Sequence, residues 1–323
     1  MKKSPEPTPT KSDTDYLGQA LRNSHLAHAV DLITDPWCQM ILRSAFLGTR
    51  RFEAFQQQVL APRQTLSLRL AYLVRIGMLD KQLKEPDGAR QEYRLTARGK
   101  SLHSNVLASW AWDRRWGGTH DQLPSRLVHT VCKHAFRPVL ICEHCAEPLA
   151  LHRVEPLHLR LEQDPQERTA RNSRWRSPAS ENESLDRDIL ATVDDRWSVL
   201  LVAALMLGAN RYEQLLVMLQ ISSAVLARRL QRLVGLGIIV NWQDPADGRR
   251  SYYGLDKAGQ DLFAYLLTMS TWGGQDLNRP DTIRWIHTRC RKPATGRMVC
   301  SHCSGPLLSW QVRRSQQASE AVV

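Results

Sequence analysis

The chain has 323 residues, 42% of them hydrophobic, enough to fill the cores of two ordinary domains. Its 44 Lys and Arg against 32 Asp and Glu leave a net charge of +12, an excess that favours polyanions, nucleic acid first, and disfavours acidic proteins as partners. No apolar run approaches the roughly 18 residues of a spanning helix, no basic amphipathic segment stands out, and the opening MKKSPEPTPTKSD lacks the apolar stretch of a signal peptide, so the expectation is a cytoplasmic protein without a membrane partner.

The opening polar residues, to about position 15, read as a disordered tail. Beyond them the chain repeats. A shift of 160 aligns DPWCQMILRSAFLGTRRFEAF at 35–55 with DRWSVLLVAALMLGANRYEQL at 195–215, and DGARQEYRLTARG at 87–99 with DGRRSYYGLDKAG at 247–259. A two-residue deletion near Trp272 changes the offset to 158, which holds through the C-terminal part of each copy. The unit is about 130 to 140 residues long and occurs twice in tandem.

Within each unit the apolar spacing predicts three helices. Trp37, Met40, Ile41, Ser44 and Ala45 mark the first, with Trp197, Leu200, Leu201, Ala204 and Leu205 as counterparts, and Gly48 and Gly208 stop it. A short second helix runs from Arg51 to about Leu60, and from Arg211 to about Gln220. A tight turn then leads to a third helix at about 62–76 and 222–236, with Leu66, Leu70 and Leu73, or Leu226, Leu230 and Leu233, on one packing stripe. Two strand-like runs follow, joined by KEPDGAR or DPADGRR, in which Asp-Gly is a hairpin signal. A longer helix is expected from Thr96 or Asp256, both competent N-caps.

Three helices and a hairpin describe a winged helix-turn-helix. The runs WCQMILRSAFLGTRRF from Trp37 to Phe52, LSLRLAYLVRIG from Leu66 to Gly77 and EYRLTARG from Glu92 to Gly99 resemble the HxlR-type winged-helix transcriptional regulators of bacteria, over about residues 25–115 and 185–272. The resemblance implies a DNA-binding regulator. Its usual members are single domains that dimerise, so a homodimer or an internal pseudo-dimer of the two copies is expected, binding double-stranded DNA; any effector is not legible.

A helix after a tight turn fits the major groove, which is about 12 Å wide. With the leucine stripe buried, Arg63, Gln64, Thr65, Ser67 and Leu68 of the first copy face outward, as do Ser222, Ser223, Ala224, Ala227 and Arg228 of the second. Different outward residues predict different half-sites. Arg69 and Arg229 share one repeat position and are expected on phosphates; Arg90, Arg249 and Arg250 at the hairpin tips are expected on flanking backbone or minor groove.

Residues 129–145 read HTVCKHAFRPVLICEHC, and 287–303 read HTRCRKPATGRMVCSHC. Each obeys H-x2-C-x9-C-x2-C. The expectation is one structural zinc ion per module, held by His129, Cys132, Cys142 and Cys145 in the first and by His287, Cys290, Cys300 and Cys303 in the second. His144 and His302 are the alternative fourth ligands. Three cysteines per module cannot pair evenly as disulfides.

The chain thus reads as mainly α with small antiparallel β wings. It divides into a tail at 1–15, a winged domain at 16–116, a zinc-ribbon-like module at 117–152, a linker at 153–184, a second winged domain at 185–273, a second module at 274–312 and a tail at 313–323. Cys38, the remaining cysteine, is a candidate redox sensor, with inert packing beside Trp37 as the stronger reading. A closed four-ligand site leaves no open position for substrate, and no nucleophile-elbow, phosphate-loop or dinucleotide motif occurs, so no enzyme is expected. The alternatives are a zinc-stapled protein-interaction module that does not bind DNA and, behind it, a zinc-dependent hydrolase.

Overall fold

The computed structural model describes residues 11–83, 91–117, 124–158, 188–193, 195–244, 247 and 250–315. The first copy runs through α1 (Lys11–Arg22), α2 (His25–Ile33), α3 (Pro36–Phe46), α4 (Phe52–Val59) and α5 (Arg63–Arg75), the strands β1 (Leu79–Leu83) and β2 (Gln91–Leu95), and the helices α6 (Ala97–Ser101) and α7 (His103–Trp116). Four short strands follow: β3 (Leu127–His129), β4 (His134–Phe136), β5 (Pro138–Cys142) and β6 (Val154–His158). The second copy has α8 (Ile189–Thr192), α9 (Arg196–Met206), α10 (Tyr212–Leu219), α11 (Ser223–Gly235), β7 (Ile239–Gln243), β8 (Ser251–Leu255), α12 (Lys257–Asp261), α13 (Phe263–Gly273), β9 (Ile283–His287), β10 (Gly296–Cys300) and β11 (Val312–Arg314). The fold is mainly helical, with small antiparallel sheets. Among the described residues no helix is long and apolar enough to cross a membrane.

Local chemistry explains the helix ends. Ser24 accepts from the Ala27 amide to cap α2, and Asp35 accepts from the Cys38 amide to cap α3 with Pro36 in its first turn. Gly48 and Gly208, both at φ +95°, reverse the chain after α3 and α9, where an L side chain would be strained. Thr96 caps α6, but Asp256 makes no side-chain cap bond to α12. The single long helix expected in each copy is two, broken at Leu102 and at Leu262.

Three residues separate α4 from α5, and three separate α10 from α11, with Leu60 (φ 56°) and Gln220 (φ 51°) in the left-handed region. Leu66, Leu70 and Leu73 are fully buried on α5, as are Leu226 and Leu233 on α11. Each such side chain contributes roughly 1.5–3 kcal/mol by burial, which fixes which face of the helix is left outward.

The copies are interwound. α2 of the first packs on α13 of the second, and α8, its counterpart in the second, packs on α7 of the first. α7 and α13 also pack on each other, and the side chain of Asn105 donates to the carbonyl of Tyr265, its own repeat equivalent, at 2.9 Å. A contact between equivalent residues marks a pseudo-two-fold axis. Trp112 and Trp272 are equivalent too: Nε1 of Trp112 donates to the Ala258 carbonyl at 2.8 Å, and Nε1 of Trp272 to the matching Arg98 carbonyl at 3.4 Å. Gly273 lets α13 lie close to α2, since a Cβ there would come within 2.5 Å of the His25 carbonyl oxygen.

The expected boundaries shift accordingly. The tail at 1–15 already contains the start of α1, which packs on α10 of the other copy, and Arg22 donates to the Met218 carbonyl at 2.6 Å. β6 lies in the expected linker and β11 at the expected C-terminal tail; they pair with β9 and β3, again across the copies.

His103, 8% exposed, sits at the start of α7 against the Phe46 ring and near the Leu307 backbone of the other copy. Burial pulls its pKa down to about 4, opposed in part by the backbone bond to Leu307. The folded state therefore keeps this ring neutral while the unfolded chain takes up a proton below about pH 6.5, so stability falls as pH drops from about 6.5 towards 4. His103→Gln is expected to remove about 2 kcal/mol of the loss seen between pH 7 and pH 5. Denaturant midpoints of both chains at the two pH values check this; equal acid sensitivity would exclude His103 as a source.

Candidate metal centres and nucleic-acid interface

The eight expected metal ligands lie in two groups, but not as two intra-copy sets. His129 and Cys132 meet Cys300 and Cys303, whereas Cys142 and Cys145 meet His287 and Cys290, with the ligand atoms of each group within 4.8 Å of one another. The expected assignment of one complete H-x2-C-x9-C-x2-C set to each module is thus corrected. Every group takes its H-x2-C half from one copy and its C-x2-C half from the other.

The reason lies in strand pairing. β5 pairs antiparallel with β10 in a register that places Leu140 opposite Met298 at its centre, equivalent residues at the offset of 158. The pseudo-two-fold axis therefore passes through this ribbon. Cys142 and Cys300 fall at its opposite ends, each delivered to the other copy's histidine. β3 pairs with β11 and β9 with β6, placing His129 opposite Val312 and His287 opposite Val154.

Four like turns carry the ligands. In each, the amide after the second ligand donates to the carbonyl of the first: Lys133 to His129 at 2.7 Å, Ala146 to Cys142 at 2.9 Å, Arg291 to His287 at 2.8 Å and Ser304 to Cys300 at 2.9 Å. Those four donors have φ between 56° and 60°, although none is glycine. Residues held in the left-handed region cost free energy that the surroundings must offset.

In the first group, His129 Nδ1 lies 3.6 Å from Cys132 Sγ and 3.3 Å from Cys303 Sγ, and Cys132 Sγ lies 3.9 Å from Cys300 Sγ. In the second, His287 Nδ1 is 3.3 Å from Cys145 Sγ and 3.5 Å from Cys290 Sγ, and Cys142 Sγ is 3.9 Å from Cys290 Sγ. His129 and His287 are the histidines of the groups; His144 belongs to neither. His302 stacks on His134, with centroids 3.7 Å apart and Cys132 beside the pair. None of the seven cysteines is in a disulfide.

Cys38 is fully buried, and burial pushes its thiol well up, with the neighbouring Asp35 carboxylate adding to the shift. Full burial and a raised thiol pKa both run against the accessible, low-pKa thiol that a redox sensor needs.

On α5, Arg63, Gln64 and Ser67 are exposed and Thr65 is half-buried; Arg63 leans over the Phe52 ring at 4.9 Å. On α11, Ser222, Ser223 and Arg228 are exposed. Ser222 caps its helix by accepting from the Val225 amide, and the Ser223 hydroxyl meets that of Tyr212 at 2.7 Å. Arg69 overturns its expected role. Only 3% exposed, it donates through Nε and Nη2 to both carboxylate oxygens of Asp35 at 2.8 Å, so it cannot reach a phosphate. Arg229 makes the equivalent ion pair with Asp195 and is half-buried. Arg250 is exposed on the second wing and pairs with Asp247 at 3.3 Å, while Arg90 and Arg249 lie outside the described residues.

Leu68, expected on the outward face of α5, is 51% exposed there, whereas Trp242, 47% exposed on β7 and stacked on Tyr252, escaped the sequence reading. Trp242 was discoverable, because alternation along IIVNWQ puts it on the same face as Val240, which is also exposed.

Two helix-turn-helix units, each followed by a hairpin wing, place the chain in the winged helix-turn-helix class of folds. The family model described as HxlR-like helix-turn-helix matches residues 32–121 and again 192–281, and the chain belongs to that family. It is 34% identical over 140 residues to an HTH-type transcriptional regulator of Mycobacterium tuberculosis, Rv3095, which covers 43% of this chain and 89% of that protein. A Mycobacterium bovis regulator, Mb3122, matches to the same extent. The Synechocystis regulator sll1512 is 28% identical over 113 residues, 35% of this chain and 84% of that protein. Each match is shorter than one repeat offset of this chain. The family and the names of these relatives indicate a regulator, not an enzyme.

Proposed function

We propose that the chain is a transcriptional regulator that binds double-stranded DNA in a sequence-specific way, as an internal pseudo-dimer acting in the cytoplasm. The observation that carries this reading is the placement of α5 and α11: each follows a three-residue turn, buries its leucines and leaves its opposite face outward, and the two are related by the pseudo-two-fold axis. Arg63 and Gln64 have the donor geometry for guanine and adenine edges, and the exposed Leu68 suits a thymine methyl. Arg228 is the corresponding basic reader in the second copy. Arg250, with Arg249 beside it in sequence, contacts the flanking backbone. Because the outward faces differ, the site has unequal halves.

Selection of duplexes from a random pool tests this. The expected result is an asymmetric consensus bound by one chain, in which Arg63→Ala relaxes one half and Arg228→Ala the other, each weakening the selected duplex by about 1–3 kcal/mol. No duplex enrichment would leave a protein-interaction module as the reading, and a symmetric consensus would exclude unequal half-sites.

A further inference from the structure

We propose that each His/Cys group binds one zinc ion and that the two ions cross-link the copies reciprocally, so that neither site can close unless the two halves of the chain are paired. This inference does not depend on DNA reading. Its ground is that the ligand sets on the page are both complete and mixed: His129 and Cys132 with Cys300 and Cys303, and His287 and Cys290 with Cys142 and Cys145.

The chemistry of the donors selects the metal. Three thiolates and one imidazole make a soft, tetrahedral set that suits zinc, with all four positions filled by protein. Zinc–sulfur bonds of about 2.3 Å imply a tetrahedral edge of about 3.8 Å. The separations of 3.3–3.9 Å between paired donors have that dimension. Sulfurs 3.9 Å apart are not disulfide-bonded. Nδ1 of each ring is the nitrogen turned to the sulfurs, 3.3–3.6 Å from two of them, so each imidazole presents one ligand atom to the cluster. The four left-handed turns fit the same demand. They curl each H-x2-C or C-x2-C segment so that both side chains point to one place, and the metal bonds offset the backbone cost.

The consequence is mechanical. A zinc ion inside one module would staple only that module, whereas these hold β3 to the C-terminal end of β10 and β9 to that of β5. The ribbon through the pseudo-two-fold axis is thereby clamped at both ends.

Metal counting on paired variants separates the two arrangements. Native mass spectrometry of the full chain should find two zinc ions. Cys132→Ser with Cys303→Ser removes two ligands from one cross-copy centre and should leave one ion. Cys132→Ser with Cys145→Ser takes one ligand from each centre and should weaken both. Intra-copy sites would give the reverse pattern, and a folded wild-type chain that takes up no zinc would overturn the proposal outright. If the variants do not fold, the wild-type chain loaded with cadmium-113 decides. Through-bond correlations should join the β-protons of Cys132, Cys300 and Cys303 to one cadmium resonance and those of Cys142, Cys145 and Cys290 to the other. Cys132 sharing a resonance with Cys142 and Cys145 would overturn it.

Discussion

Arg69→Ala is expected to lower the stability of the first copy by about 3 kcal/mol, the lower end of what breaking a buried ion pair costs. Arg69 is 3% exposed and its guanidinium forms a bidentate pair with Asp35, both bonds at 2.8 Å. Asp35 also caps α3, so the pair ties the start of that helix to the middle of α5. Truncation strands the carboxylate, whose side chain is 14% exposed and retains some solvent; that residual solvation places the effect at the lower end. The second copy supplies the control. Arg229 and Asp195 are 22% and 24% exposed at the side chain, and Arg229→Ala is expected to cost about 1 kcal/mol. Denaturant midpoints measure both. A wild-type midpoint for Arg69→Ala together with weakened duplex binding would restore a phosphate contact for this residue.

Trp112→Ala is expected to cost about 3–5 kcal/mol, the range for deleting a large aromatic side chain from a core. The ring is 3% exposed where the copies meet, and its Nε1 donates to the Ala258 carbonyl at 2.8 Å. The indole thus links the end of the first winged unit to α12 of the second. Trp112→Phe keeps most of the apolar contact and leaves that carbonyl without the indole donor, so a smaller loss, about 1–2 kcal/mol, is expected. Hydrogen exchange should locate the damage: faster exchange in α12 and α13 for Trp112→Ala, with exchange in α4 and α5 much less changed. Uniform acceleration, or none, would show that the indole does not hold this interface.

The sequence by itself determined the tandem repeat, the order of the three core helices and the wing in each copy, the outward faces of α5 and α11 and the six cysteines of the two groups, while the choice of His129 and His287 over His144 and His302 waited for the structure. These depend on local spacing, which a single repeat already carries: leucines on one stripe of a helix, Asp-Gly between strand runs, ligands three residues apart. Only the tertiary structure decided which ligands meet. The H-x2-C and C-x2-C segments occur once in each copy, so spacing cannot distinguish a set closed within a copy from one exchanged between copies. The exchange follows from β5 pairing with β10 about a pseudo-two-fold axis. Arg69 shows the same limit, since helical periodicity put it beside the leucines but could not reveal Asp35, 34 residues away, beneath it. The first residues of α1 and most of β11 were read as tails for a related reason: their partners, α10 and β3, belong to the other copy, and burial between copies leaves no periodic mark that short polar segments can carry.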